Sequence, residues 1–259
     1  MKKAVLALSV AAIASPVIAD ENAPNPSDLT QVNSFAFGTV DNDGTVKGMV
    51  GLAGQYSEGN NFIGLVEHGT ATKNIDGKKA QDSRLRYFQV LDTDMAAMPQ
   101  AGFSVDYMKG WEHYNGTGTD IVALGAIAKV TTPWEELAIF PNVAYVTGKA
   151  EAGNMKADLS GYQVNLFGSL VVGEAGEYIV FQPQYMHLDG KPRFINADKA
   201  TADVFKVKTG YGQAISADGK WWVEASHTYT RTDAELKTSG TNLIKDNDNK
   251  FEVGVSYYF

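Results

Sequence analysis

The groups in this chain best suited to chemistry are four histidines and a set of charges at alternate positions. His68 follows Glu67, His113 follows Glu112, His187 stands two before Asp189, and His227 follows Ser226. An imidazole beside a carboxylate can serve as a general base in hydrolysis or, with a further ligand, hold zinc. Such a site needs a nucleophile or metal, a base and an orienting group within hydrogen-bond reach. No serine stands in a recognisable hydrolase context, and Ser226 and His227, as neighbours on a strand, point to opposite faces. Histidine also suits an interfacial band, as Tyr and Trp do, and no phosphate-cradling or hydride-cofactor motif is present. The reading is therefore non-enzymatic, with no catalytic residue, no metal and no cofactor. A lipid or peptide hydrolase at a barrel rim is kept as an alternative.

The second set comprises Lys47, Arg84, Arg86, Lys129, Lys206 and Lys208, with Asp106, Glu224 and Glu252 as its acids. Residues at every second position share one face of a strand. Taking Phe259 and its apolar phase as the outer face puts all nine on the inner one, while Glu67 has no clear phase. A basic wall around a water-filled passage favours anionic solutes. In a narrow lumen the same charges can instead pair and fill the space. Arg84 and Arg86 stand near one end of their strand, at an entrance.

The elements that must position these groups follow from one repeated theme. From about residue 31, roughly ten residues of alternation are followed by a break rich in Gly, Asp, Asn, Ser or Lys, the pattern of strands with two unlike faces. Twelve strands are expected, near 31–41, 45–56, 61–70, 83–92, 102–112, 120–131, 137–148, 158–171, 177–187, 203–213, 220–231 and 250–259. Breaks after even strands are mostly short. Those after odd strands, such as Lys149 to Ala157, Leu188 to Ala202 and Thr232 to Asn249, are longer and read as loops. Two exceptions are the short odd break Asp41 to Gly44 and the long even break Thr93 to Ala101. Gly48, Gly51 and Gly54 suit bending at barrel corners.

Composition narrows the class. The 259 residues contain no cysteine, which excludes a disulfide scaffold and a cysteine-ligated metal. A net charge of −8 opposes binding to nucleic acid. Met1, Lys2 and Lys3 precede the apolar run Ala4 to Ala14, and Ser15 to Ala19 follow, the pattern of a cleaved signal peptide over 1–19. Residues 20–30, polar and proline-bearing, are expected to form a flexible periplasmic lead-in. The barrel domain is then 31–259.

A soluble barrel satisfies the same alternation, but the aromatic residues favour a membrane. Tyr56, Phe103, Trp134, Tyr211, Trp221, Tyr257 and Phe259 fall near the short-turn ends of their strands. Trp111, Tyr145, Tyr162, Tyr185 and Tyr229 fall near the other ends. Two bands of rings fit two membrane interfaces, with short turns at the periplasmic rim and larger loops outside. The fold expected is an all-β, twelve-stranded antiparallel up-and-down transmembrane barrel.

The last nine residues, Phe251 to Phe259, alternate apolar and polar and end on an aromatic. With Glu252, Gly254, Tyr257 and Phe259 in place, they resemble the carboxy-terminal targeting strand of Gram-negative outer-membrane β-barrel proteins. The resemblance covers under a twentieth of the chain. It implies residence in the outer membrane, among its lipid and lipopolysaccharide, and insertion by the barrel-assembly machinery. The architecture is also similar to that of small monomeric porins that take up acidic oligosaccharides, although no motif beyond the terminal strand is shared. The function expected is passive diffusion of small polar, including anionic, solutes. A structural or adhesive barrel acting through its external loops is the other alternative.

Overall fold

The computed structural model describes residue 26 and residues 34–74, 78–111, 117–153, 155–193 and 199–259. The expected signal peptide, His113 and all of the lead-in except Pro26 lie outside the described residues.

Twelve strands follow in chain order: β1 Phe35–Asp41, β2 Thr45–Ser57, β3 Asn60–Ala71, β4 Gln81–Met95, β5 Met98–Gly110, β6 Thr117–Lys129, β7 Leu137–Ala152, β8 Met155–Val171, β9 Tyr178–Pro192, β10 Ala200–Ala214, β11 Trp221–Leu236 and β12 Asn242–Tyr258. Each pairs antiparallel with its chain neighbours, and β12 also pairs with β1, so the sheet closes into a barrel. All seven residues of β1 take part in the closure, from Phe35 opposite Tyr258 to Asp41 opposite Glu252. The expected all-β, up-and-down barrel is the observed one.

Alternation decides which side chains meet the outside. On β7 and β8, Val143, Tyr145, Tyr162 and Val164 point outward and are exposed, whereas Asn142, Ala144, Gln163 and Asn165 point inward and are buried. The outer surface carries further exposed apolar side chains around the ring, among them Val50, Val66, Leu85, Leu124 and Val253. In water so much apolar exposure would be unusual, while hydrocarbon accommodates it. Tyr56 (62% exposed), Trp134 (63%) and Phe259 (67%) mark the rim where the chain ends and tight turns lie. Trp111, Tyr145 and Tyr162 mark the other.

Several expected loops are instead strand. The break Lys149 to Ala157 is a hairpin in which Ala152 pairs with Met155. Ladder pairing likewise continues from Thr232 opposite Asp246 to Glu235 opposite Asn242, where loop was expected. At the opposite rim, Thr93 to Ala101 is a tight hairpin with Met95 opposite Met98. Polar strand ends such as Glu151, Lys156, Asp233 and Lys245 break the hydrophobic alternation that marks a membrane-embedded strand. Beyond the hydrocarbon a ladder needs only backbone pairing, and water tolerates charge on both faces.

Gly51 and Gly254 act through the space their missing side chains leave. A Cβ on Gly254 would fall 2.6 Å from both the Phe37 ring and Thr39 Cγ2, and one on Gly51 would fall 2.4 Å from the Phe35 ring. Absent side chains on β12 and β2 thus admit the β1 phenylalanines to the lumen, whereas Gly48 faces open space.

Two outcomes are expected. Val143→Arg, near mid-strand on the outer face, should destabilise the barrel by about 2–4 kcal/mol in reversible urea unfolding from lipid bilayers. An unchanged midpoint would place that face in water. Gly254→Leu should weaken the β1 and β12 seam by overpacking, by about 1–3 kcal/mol, and lower the temperature at which the folded band is lost on electrophoresis.

Candidate functional site

The inner face gathers charge from strands remote in sequence. Lys47 comes from β2, Arg84 and Arg86 from β4, Asp106 from β5, Lys206 and Lys208 from β10, Glu224 from β11 and Glu252 from β12. Glu67 on β3, whose phase the sequence leaves open, also points inward, two residues beyond buried Leu65. Lys129 on β6 lies on the same face, with its ammonium 5.7 Å from the centre of the Phe140 ring.

Most of these charges meet. Arg84 Nε donates to Asp106 Oδ1 at 2.8 Å, and its Nη2 donates to the other carboxylate oxygen. Glu67 binds Lys47 at 3.4 Å and Arg86 at 3.3 Å, and Lys47 also lies 3.6 Å from Glu252. Lys208 donates to one oxygen of Glu224 at 2.7 Å, and the Tyr178 hydroxyl donates to the other at 3.1 Å. Pairing of the inward charges, the alternative to an unpaired basic wall, is therefore present. Lys206 stands outside it: among the described residues it makes no ion pair or hydrogen bond, and the charges that face it are Arg84, Lys47 and Lys208, with Glu67 as the acid.

A cavity of about 260 Å³ lies against these groups. Lys47, Glu67, Arg84, Arg86, Lys206, Lys208, Glu224 and Glu252 line it, whereas Asp106 and Lys129 do not. Asp106 serves it indirectly by holding Arg84. Pro26, from the expected lead-in, lies on the cavity wall as well.

Elsewhere in the lumen apolar side chains pack together. Ile63, Leu65, Phe88, Val90, Ile127 and Phe140 form one buried apolar cluster, and Ile121, Ala123, Ala144, Val146 and Leu188 form a second. Between them Asn142 donates to Ser104 Oγ at 2.7 Å and accepts from Asn165 at 2.8 Å. The inner wall thus carries apolar as well as charged side chains. Phe35, Phe37, Ile63 and Leu65 occupy the inward phase on β1 and β3, where both faces are apolar and period two carries little contrast.

The three histidines among the described residues do not converge. His68 on β3 shares a 2.8 Å hydrogen bond with Ser83 Oγ, which also accepts from Trp111 Nε1 at 3.0 Å. His187 on β9, across the ring, meets Asp203 at 2.8 Å, and His227 on β11 meets Asn249 at 3.1 Å. All three face outward near the rim bearing Tyr145 and Tyr162. Among the described residues, no three His, Asp or Glu side chains are grouped to hold a metal.

No protein-family model matches the chain, and no curated relative matches it. Solved structures do. The COG4313 outer membrane channel from Pseudomonas putida F1 superposes with a TM-score of 0.60 at 11% identity, covering 91% of this chain and 99% of that one. A protein solved in a study of in-meso crystallization of membrane proteins superposes with a TM-score of 0.50 at 13% identity, covering 88% and 84%. The KdgM porin, at 0.43 and 12% over 88% of this chain and 99% of its own, is too distant a likeness to argue from. The chain has the fold of outer-membrane β-barrel proteins.

Removing Asp106 should expose how far the pairs hold the barrel together. Asp106→Ala leaves Arg84 without its carboxylate, and a charge stripped of its buried partner costs about 3–5 kcal/mol. In urea unfolding from bilayers, Asp106→Ala should lose more stability than the double variant Arg84→Met with Asp106→Ala. Equal losses would mean that water already serves the guanidinium.

Proposed function

We propose that this chain is a porin-like channel of the Gram-negative outer membrane, passing small polar solutes with a preference for anions. The observation that carries the reading is the cation-lined cavity inside a closed barrel whose outer surface is apolar. Five cations against three acids line it, so a permeating anion meets favourable charge along the wall. The superposition on a channel adds support at the level of fold.

On this reading the chain is exported by its first nineteen residues and inserted by the barrel-assembly machinery, with Glu252, Gly254, Tyr257 and Phe259 as the recognised strand. It then sits among outer-membrane lipid and lipopolysaccharide. The pore-lining set is Lys47, Arg84, Arg86, Lys206 and Lys208 with Glu67, Glu224 and Glu252; Asp106 acts through Arg84. Its role is passive conduction, not catalysis. Lys129, beside Phe140 and away from the cavity, has a structural part.

Planar-bilayer recording tests this. The wild-type chain should conduct chloride in preference to potassium, and replacing Lys206 and Lys208 by Glu should move the reversal potential toward cation preference. Unchanged selectivity would remove both lysines from the path, and absence of conductance would sink the channel reading.

A further inference from the structure

The cavity lining is of two kinds, and together they specify a ligand more narrowly than charge alone. Part of it carries the cations. Part presents Phe37, Met49, Ile63, Leu65 and Phe167 to the same space. Resting on the channel reading and deepening it, we infer that the cavity is a binding site for an amphipathic organic monoanion. Its carboxylate sits on Lys206, and its short aliphatic or aromatic body lies against the Phe37, Met49 and Leu65 side.

Charge argues for a single acidic head. Lys47, Arg84, Arg86 and Lys208 are each engaged with a carboxylate of the protein. Lys206 is the cavity-lining cation without such a partner among the described residues.

The apolar wall argues against a polyhydroxylated solute. Hydroxyls pressed against Phe37, Ile63 and Leu65 would lose water without gaining a partner, whereas methylenes or a ring would leave water favourably. Size agrees: an engineered apolar cavity of roughly 150 Å³ takes up benzene, and this cavity is about 260 Å³, enough for a ring or short chain with its carboxylate. A bare inorganic anion would leave the apolar wall wet.

The test measures block of chloride current through the reconstituted full chain by hexanoate, benzoate, acetate and gluconate. Hexanoate and benzoate should half-block at concentrations at least about tenfold below acetate and gluconate, since each buried methylene is worth roughly a threefold to fourfold gain. Lys206→Gln should abolish block by all four. Met49→Ser should weaken hexanoate and leave acetate unchanged. Should Lys206→Gln fail to assemble, Lys206→Met, which keeps the unbranched stem, replaces it.

Equal block by hexanoate, acetate and gluconate in a conducting barrel overturns this inference and leaves the channel reading intact. A barrel that passes no chloride overturns the channel reading. Saturation-transfer NMR with hexanoate and the protein in lipid nanodiscs then decides the site on its own: signal lost in Lys206→Gln supports it, and no signal with the wild-type chain overturns it.

Discussion

Pairing of β1 with β12 is the constraint on which the rest depends. Within hydrocarbon no water can satisfy an open sheet edge, and each orphaned N–H or C=O costs several kcal/mol. Seven residues of β1 close the ring. To seat them, the inner face beside the seam gives up side-chain volume at Gly51 and Gly254, and the rings of Phe35 and Phe37 take the space. Closure and the apolar part of the cavity wall are therefore one feature. The phenylalanines that pack the seam also face the lumen.

Closure also brings the charges together. β12, β1, β2, β3 and β4 are consecutive around the ring, so long side chains from β2, β3, β4 and β12 meet along one arc of the wall. Glu67 sits between Lys47 and Arg86, and Lys47 reaches Glu252 over β1. These pairs are affordable in a lumen because the cavity keeps part of their hydration, which a dry protein core would remove. Elsewhere in the lumen, where apolar clusters and the Ser104, Asn142 and Asn165 network pack together, inward charges are few. The cavity lies against both the charges and one apolar cluster.

The outer surface follows a separate logic. Its apolar band ends at rings of Tyr and Trp, and beyond one of those rings the strands β7 to β12 continue as paired hairpins bearing charge. Arg231 and Asp233, or Lys156 and Glu151, pair there on exposed surface. The described histidines, His68, His187 and His227, stand outward near that rim, each with a local polar partner, as interfacial side chains do.

Strand number, antiparallel order and the inward phase of Lys47, Arg84, Arg86, Asp106, Lys129, Lys206, Lys208, Glu224 and Glu252 were legible in the sequence. Period-two alternation is a local property, readable wherever one face is apolar and the other is not. It failed at Glu67, Phe37 and Ile63, where both faces are apolar or the contrast is weak, and at the hairpin ends, where water removes the need for contrast. Only the tertiary structure decided which cavity-lining cation lacks an ion pair among the described residues, where apolar side chains pack in the lumen and where a cavity remains. Those outcomes depend on residues separated by tens to hundreds of positions meeting across a closed ring, and no local pattern encodes the register of that meeting.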